Sequence, residues 1–279
     1  MITNNKNKGF MNIEKKRRGR PSKKSTVLVS KEVKRFKPSL VKMNDVTFSD
    51  DLFVPMRTNK KIDSLLSSEG GLMKGTNFAF AGDPGVGKST VMLDILGDLQ
   101  DKGQKVLFVS GEMTSIDMYG YVKRFPKFGR LPILFMGDYI ENDPLVVLKS
   151  ALSEGFDVVL IDSMAEVCTS IVDFHGGTMK NAETQILNLL EAHNKAENKE
   201  KRNTTFLIIQ QVTKGGFMAG SNRFKHALTG AGHIKFDGEG RCVYFSKNRR
   251  GGQMDKLFFD LSAGKNVSWL FTEPHNMQA

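Results

Sequence analysis

The sequence predicts an α/β fold, a mostly parallel central sheet covered by helices on both faces and continued by an antiparallel C-terminal extension. Three observations predict it. Short apolar runs alternate with longer helical stretches from residue 77 to about residue 211. Several runs, such as KVLFVS and VVLID, are apolar almost throughout, as strands buried on both faces of a parallel sheet tend to be. After Gly232 the helical stretches stop and short, turn-linked runs take over.

Residues 1–45 carry 14 Lys/Arg against 3 Asp/Glu, which accounts for the whole formal charge of +11. They show no sustained hydrophobic period and are rich in Lys, Asn and Ser, so they read as a largely disordered basic tail before a domain at 46–279. A solvated basic tail beside a neutral body seeks a polyanion, with nucleic acid as the leading candidate. Residues 46–75 lead in and end on Glu69-Gly70-Gly71-Leu72-Met73-Lys74-Gly75, whose glycines suggest tight turns into the first strand.

From there the elements follow in order. A strand is expected at 77–81, an amphipathic helix at 88–102, a strand at 105–110 and a helix at 115–124. Next come a strand at 132–136, a helix at 144–154, a strand at 158–162, a helix at 181–198 and a strand at 205–211. Runs at 233–237, 241–247, 257–261 and 267–270 make the antiparallel extension.

Between the first strand and the first long helix stands Gly82-Asp83-Pro84-Gly85-Val86-Gly87-Lys88-Ser89-Thr90, which fits G-x-x-x-x-G-K-[ST] in the strand–loop–helix context that motif requires. Its glycines let the backbone curl so that amides point at phosphates, and the helix N-terminus adds a favourable dipole. Lys88 would reach the β- and γ-phosphates and the Ser89 hydroxyl would ligate Mg²⁺, so ATP and Mg²⁺ are the expected ligands. Asp162 ends the VVLID strand; an ordinary strand-end Asp by itself, beside this loop it becomes a candidate to hold the Mg²⁺ water shell. Glu112 follows the adjacent strand, where a carboxylate points into the ligand crevice and could orient an attacking water; a surface glutamate is the alternative.

The remaining composition excludes other classes. Cys168 and Cys242 are the two cysteines and lie far apart, which excludes a zinc finger, a CxxC redox motif and a disulfide framework. No apolar run approaches the ~18–20 residues that span a bilayer. The N-terminus lacks a signal-peptide apolar stretch, so a cytoplasmic location, in a cell or a virus-infected cell, is expected.

Residues 65–251 resemble the ATPase core of the RadA (Sms) recombination proteins in the RecA/DnaB superfamily. The resemblance rests on residues 69–75, GDPGVGKST, SGEM at 110–113, VVLIDS at 158–163, QQVTKGGFMAG at 210–220 and KNRRG at 247–251, in that order. It implies a RecA-like P-loop NTPase core. It also implies that Glu112 is the catalytic glutamate and that Gln210 or Gln211 senses the γ-phosphate. Lys247 and Arg249 would reach across a subunit interface onto a neighbour's ATP, although residues alone leave KNRRG equally a basic β-turn. Residues 212–226 are similar to a loop facing a central channel, with Lys214, Arg223 and Lys225 on DNA phosphates, Gly215 and Gly216 giving mobility and Phe217 a possible stacking platform. A second channel loop is expected at 168–178. The family's frequent Arg is Tyr121 here, so adenine contacts fall to Tyr121 or Arg124. The family's zinc finger and Lon-like domain have no counterpart in this sequence, and its partner-specific functions do not carry over.

In the tail, Arg18-Gly19-Arg20-Pro21 matches the core of an AT-hook, in which Arg side chains enter the narrow minor groove of A/T-rich DNA. The function expected is a DNA-dependent ATPase motor of helicase or branch-migration type in replication, recombination or repair. It would act as a homo-oligomer, a hexameric ring with single-stranded DNA in its channel, A/T-rich duplex on the tail and no membrane partner. An ATP-gated DNA-binding scaffold or loader is the alternative, and a KaiC-like regulatory ATPase without a DNA role stands third.

Overall fold

A computed structural model describes residues 38–195, 203–238, 240–253, 255–262, 264 and 266–270. The chain divides into two compact units, Met1–Thr47 and Phe48–Ala279. In the first, the described residues are exposed and form one 3-10 turn, Met43–Asp45. Arg18, Gly19, Arg20 and Pro21 lie outside the described residues.

The second unit holds, in chain order, α1 (Asp63–Leu66), β1 (Asn77–Ala81), α2 (Lys88–Asp101), β2 (Val106–Ser110) and α3 (Ser115–Arg124). Then come β3 (Ile133–Phe135), α4 (Pro144–Leu152), β4 (Val158–Asp162), α5 (Met164–His175), α6 (Met179–Lys195) and β5 (Thr205–Gln210). The rest is α7 (Asn222–Ala227), β6 (Gly230–Asp237), β7 (Gly240–Asn248), β8 (Leu257–Asp260) and β9 (Ser268–Trp269). The described strands form one sheet in the order β3-β2-β4-β5-β1-β6-β7-β8-β9. Pairing is parallel from β3 through β6 and antiparallel from β6 to β9. The expected fold class is the one observed, with β6 as its hinge. Gly230–His233 of β6 run parallel to β1, while the same strand pairs antiparallel with β7.

The continuously apolar strands divide by the period of two that a pleated backbone imposes. Phe78 and Phe80 of β1, Phe108 of β2, Leu160 of β4 and Leu207 of β5 face one core. Ala79, Ala81, Val109, Ile161 and Ile208 face the other. The first core also takes in α2, and Phe245 of β7 meets the Phe78 and Phe80 rings edge-on at 5.7 and 5.6 Å. The second is closed by α4, α5, α6 and α7, through Leu148, Ile171, Ile186 and Phe224 among others. Each such fully buried side chain contributes about 1.5–3 kcal/mol.

Three elements differ from the sequence expectation. Helix α2 is not amphipathic in its setting. Its buried residues include Val91, Asp94, Leu96 and Gly97, which cover both flanks. Asp94 is fully buried and paired with Lys60 at 2.8 Å and with Lys127, and Lys127 also meets Asp98 at 2.9 Å. The charges that suggested a solvated face are thus engaged in a largely buried ion-pair cluster. Residues 168–178, expected as a channel loop, are mostly the C-terminal part of α5. Met164, Val167, Cys168 and Ile171 recur at helical spacing and are buried, leaving only residues 176–178 between α5 and α6. Residues 222–227 are helix α7 rather than loop, because Ser221 caps the helix by accepting from the Phe224 amide and the Phe224 ring is buried. Among the described residues, no helix is long and apolar enough to cross a membrane.

Candidate nucleotide-binding site

The loop from β1 to α2 is placed at the C-terminal ends of the parallel strands, where open α/β sheets bind ligands. Two of its glycines are required by their surroundings. A side chain at Gly82 would run into the Ile234 carbonyl. Gly87 has φ +101°, the left-handed region, and a side chain there would collide with Leu261. Lys88 then opens α2, and its ammonium donates to the Gly82 and Asp83 carbonyls, 2.9 Å each. Burial lowers the Lys88 pKa, opposed by the carboxylates of Asp162, Glu112 and Asp83.

Ser89, the next residue of α2, donates its hydroxyl to Asp162 Oδ2 at 2.5 Å. Asp162 closes β4 and is buried. Burial pushes its carboxyl up to about 6; the Ser89 hydrogen bond and Lys88 pull down, and Glu112 pushes up. A hydroxyl and a carboxylate in contact are hard oxygen donors, the set a Mg²⁺ ion takes, so these residues fit that ion. The curled loop with Lys88 at its end fits polyphosphate.

Glu112 stands in the turn between β2 and α3. Ser110 fixes that turn, donating to the Met113 carbonyl at 2.8 Å and accepting from the Met113 amide. Thr114 and Asp117 then form a reciprocal capping box that starts α3. Glu112 is exposed and lines the same pocket, of about 1010 Å³, as Lys88, Ser89 and Asp162. Tyr121 and Arg124 of α3 line it too, with the Arg124 guanidinium 5.6 Å from the Tyr121 ring centre.

The two glutamines part company. Gln210 pairs in register with Ala81 and is buried, its side-chain oxygen accepting from the Gln211 amide. Gln211, one residue past the end of β5, is exposed and lines the pocket. Of the two glutamines, Gln211 and not Gln210 lines the pocket.

Lys247 and Arg249 do not line the pocket of their own chain. Lys247 pairs with Ala231, toward the start of β6, while Arg241 at the other end of β7 lines the pocket. Six residues of strand, about 20 Å at ~3.4 Å each, separate the two positions. The Lys247 ammonium donates to the Lys225 carbonyl at 2.8 Å, and Arg249 donates to the His226 carbonyl at 3.1 Å, near the C-terminal end of α7. Burial, and then Arg249, lower the Lys247 pKa.

Residues 212–218 close into a hydrogen-bonded turn, with a bridge between Val212 and Met218 and the Gly216 amide donating to the Thr213 carbonyl. Lys214 is exposed at its tip, and Phe217 is 72% exposed. Arg223 reaches Asn188 of α6 at 2.6 Å, and Lys225 is half-buried on α7.

Sequence reasoning missed the far wall of the pocket: Arg241, Asp260, Leu261, Ser262 and Gly264, with Ser163 beside Asp162. Register across the antiparallel strands, Arg241 opposite Phe259, brings that wall together, and no motif marks it. For Ser163 a signal existed, the S-x-x-E pattern at the start of α5.

No family model matches the sequence. Curated relatives do. The chain is 27% identical over 203 residues to the DNA repair protein RadA of Campylobacter jejuni, covering 71% of this chain and 43% of that protein. It is 28% identical over 219 residues to that of Brucella abortus, covering 74% and 45%. Over 226 residues it is 27% identical to that of Chlamydia muridarum, covering 79% and 46%. The chain thus spans less than half the length of these relatives. Among solved structures, a KaiC-like protein of Pyrococcus horikoshii superposes with a TM-score of 0.57 over 78% of this chain and 98% of its own, at 16% identity. That likeness shows the fold. The chain thus has a RecA-like α/β fold and is similar in sequence to the RadA proteins over about three-quarters of its length.

Proposed function

We propose that the chain is an ATPase of DNA repair or recombination that hydrolyses Mg·ATP in the pocket beside residues 82–90. The observation that carries this reading is the contact of Ser89 with Asp162 at 2.5 Å, in one pocket with Lys88 and Glu112. Lys88 would bind the β- and γ-phosphates once its ammonium leaves the loop carbonyls. Bound Mg²⁺ would neutralise phosphate charge during transfer. Ser89 and Asp162 would hold it, Asp162 through its water shell. Glu112 would accept the proton of the attacking water, and Gln211 would sense the γ-phosphate. Lys247 and Arg249 would act on a neighbour's nucleotide in a ring, where a cation supplied in trans stabilises the transferring phosphoryl group.

DNA is the partner this reading assigns. Single-stranded DNA would run past Lys214, Arg223 and Lys225, and the Arg18–Pro21 stretch would hold A/T-rich duplex. The test is ATP hydrolysis by the full chain with and without single-stranded DNA. Stimulation by DNA is expected, and an unchanged rate contradicts the DNA-coupled part of the reading. Strand displacement from a fork separates a motor from an ATP-gated scaffold.

A further inference from the structure

The KNRRG stretch ends β7 and turns back against α1 and the residues that follow it. Asn248 is the last residue of β7 and is half-buried. Its Nδ2 donates to the Leu65 carbonyl at 2.8 Å and to the Leu66 carbonyl at 3.1 Å, at the C-terminal end of α1. The last carbonyls of a helix have no partner inside the helix, so they are ready acceptors. Oδ1 of the same side chain accepts from the Arg250 amide at 3.0 Å. Carbonyls on one side and an amide N–H on the other fix which end of the group is nitrogen.

The rest of the turn is seated the same way. The Ser68 amide and hydroxyl both donate to the Arg250 carbonyl, at 3.0 and 3.2 Å, and the Gln253 amide donates to the Ser64 carbonyl at 2.8 Å. Gly252 has φ +94°, and a Cβ there would stand 2.6 Å from the Leu65 carbonyl oxygen. Arg249 lies inside this clamp. Its amide donates to the Thr229 carbonyl at 2.9 Å, while its side chain is exposed and, among the described residues, bonds the His226 carbonyl alone. The backbone on both sides of Arg249 is therefore fixed, and most of its guanidinium donors stay open. A fixed base under an open cation suits a group aimed at another molecule, where misplacement by about 1 Å costs about a hundredfold in rate.

We propose that Asn248 is a positioning residue that aims Arg249 at the nucleotide of a neighbouring copy. This rests on the reading of Arg249 as a group that acts in trans. Asn248 ties α1 to the turn, through Nδ2 on one side and Oδ1 on the other, and does not line the pocket of its own chain. Its loss disables the cation that a copy offers and spares the pocket that the same copy carries.

Asn248→Asp keeps the shape but has no N–H to give the Leu65 and Leu66 carbonyls. Asn248→Ala removes the same bonds and adds no charge. Each full-length variant is measured alone, mixed with Glu112→Gln, and mixed with Arg249→Ala. Binding of a fluorescent ATP analogue, phosphate release and thermal unfolding are followed. Alone, each variant is expected to bind the analogue within about twofold of wild type and to release phosphate about tenfold to a hundredfold more slowly. Glu112→Gln, which keeps an aimed Arg249, should restore activity; Arg249→Ala should not, because neither copy then offers an aimed cation. Turnover at the wild-type rate by both variants overturns the proposal. Failure of Glu112→Gln to rescue overturns it too, since a neighbour does not repair a generally weakened fold. Rescue by Arg249→Ala also overturns it, because that places the defect in the variant's own pocket. Loss of the thermal transition in both variants makes Asn248 a residue of folding and overturns it as well. If the control pair, Arg249→Ala with Glu112→Gln, shows no rescue, the trans reading itself falls and the proposal with it.

Discussion

Asp162 ionises at a cost that its burial sets. Burial raises its carboxyl from the ordinary 3.8 to about 6, so ionising it costs more in the folded chain than in the unfolded one. A group whose folded pKa lies above its unfolded value contributes stability below the unfolded pKa and loses it as pH rises through the folded pKa. The difference corresponds to roughly 3 kcal/mol, lost between about pH 4 and pH 6. Asp162→Asn keeps an oxygen for the Ser89 hydroxyl and removes the charge. The variant should be more stable than wild type at pH 7.5 by about 1–3 kcal/mol, with the gap closing as pH falls through 6 toward 4. Chemical denaturation across that range checks this, and a gap that widens on acidification contradicts it. Asp162 was legible in the sequence. Its position at the end of a buried strand, beside a phosphate loop, leaves few other uses for it. Gln210 and Gln211 stayed open alternatives in the sequence for the opposite reason, since nothing local tells two adjacent glutamines apart; in the fold Gln210 is buried and Gln211 lines the pocket.

At the level of elements, α2 positions the site, because Lys88 and Ser89 are its first two residues. Its orientation is fixed further along by Asp94, which pairs with Lys60 and Lys127 and accepts from the Val267 amide at 3.2 Å. The Lys127 side chain is 11% exposed and that of Asp94 0%, so removing the lysine leaves a buried charge short of a partner. Lys127→Met should cost about 2–4 kcal/mol, seen as a lower denaturant midpoint. Lys60→Met should cost less, since Lys60 is 24% exposed and Lys127 remains. Equal effects would contradict the burial argument. These pairs also explain what the sequence hides. Strands β1, β2, β4 and β5 were legible because apolar runs between turns have few other readings. The acids of α2 suggested an outer face, and only the lysines folded in from distant segments show that they are inside. Helix α5 kept its helical spacing in plain view, but the resemblance, rather than that spacing, set the expectation of a loop there.

For the molecule as a whole, the sheet separates two sets of groups. Lys88, Ser89, Glu112 and Asp162 gather at one end of the parallel strands, while Lys247 and Arg249 lie at the far end of β7, bonded to carbonyls of α7. One chain does not bring both sets to its own pocket, so a role for Arg249 in hydrolysis requires a second copy. Arg249→Ala should bind nucleotide and fail to turn over. Mixed with Glu112→Gln, it should regain activity at interfaces that join an intact pocket to an intact Arg249. No rescue at any mixing ratio would contradict action in trans. The resemblance carried by VTKGG and KNRRG was legible at this scale because the motifs keep their order; the wall from Arg241 to Gly264 was not, because register alone assembles it.

Every other role assigned to this pocket depends on the loop at residues 82–90 holding a nucleotide. Calorimetric titration of wild type and Lys88→Ala with Mg·ATP tests it most directly. Saturable binding by wild type, weakened by at least about tenfold to a hundredfold in the variant, is the predicted result. Equal affinity of the two proteins, or no binding by wild type, would contradict it.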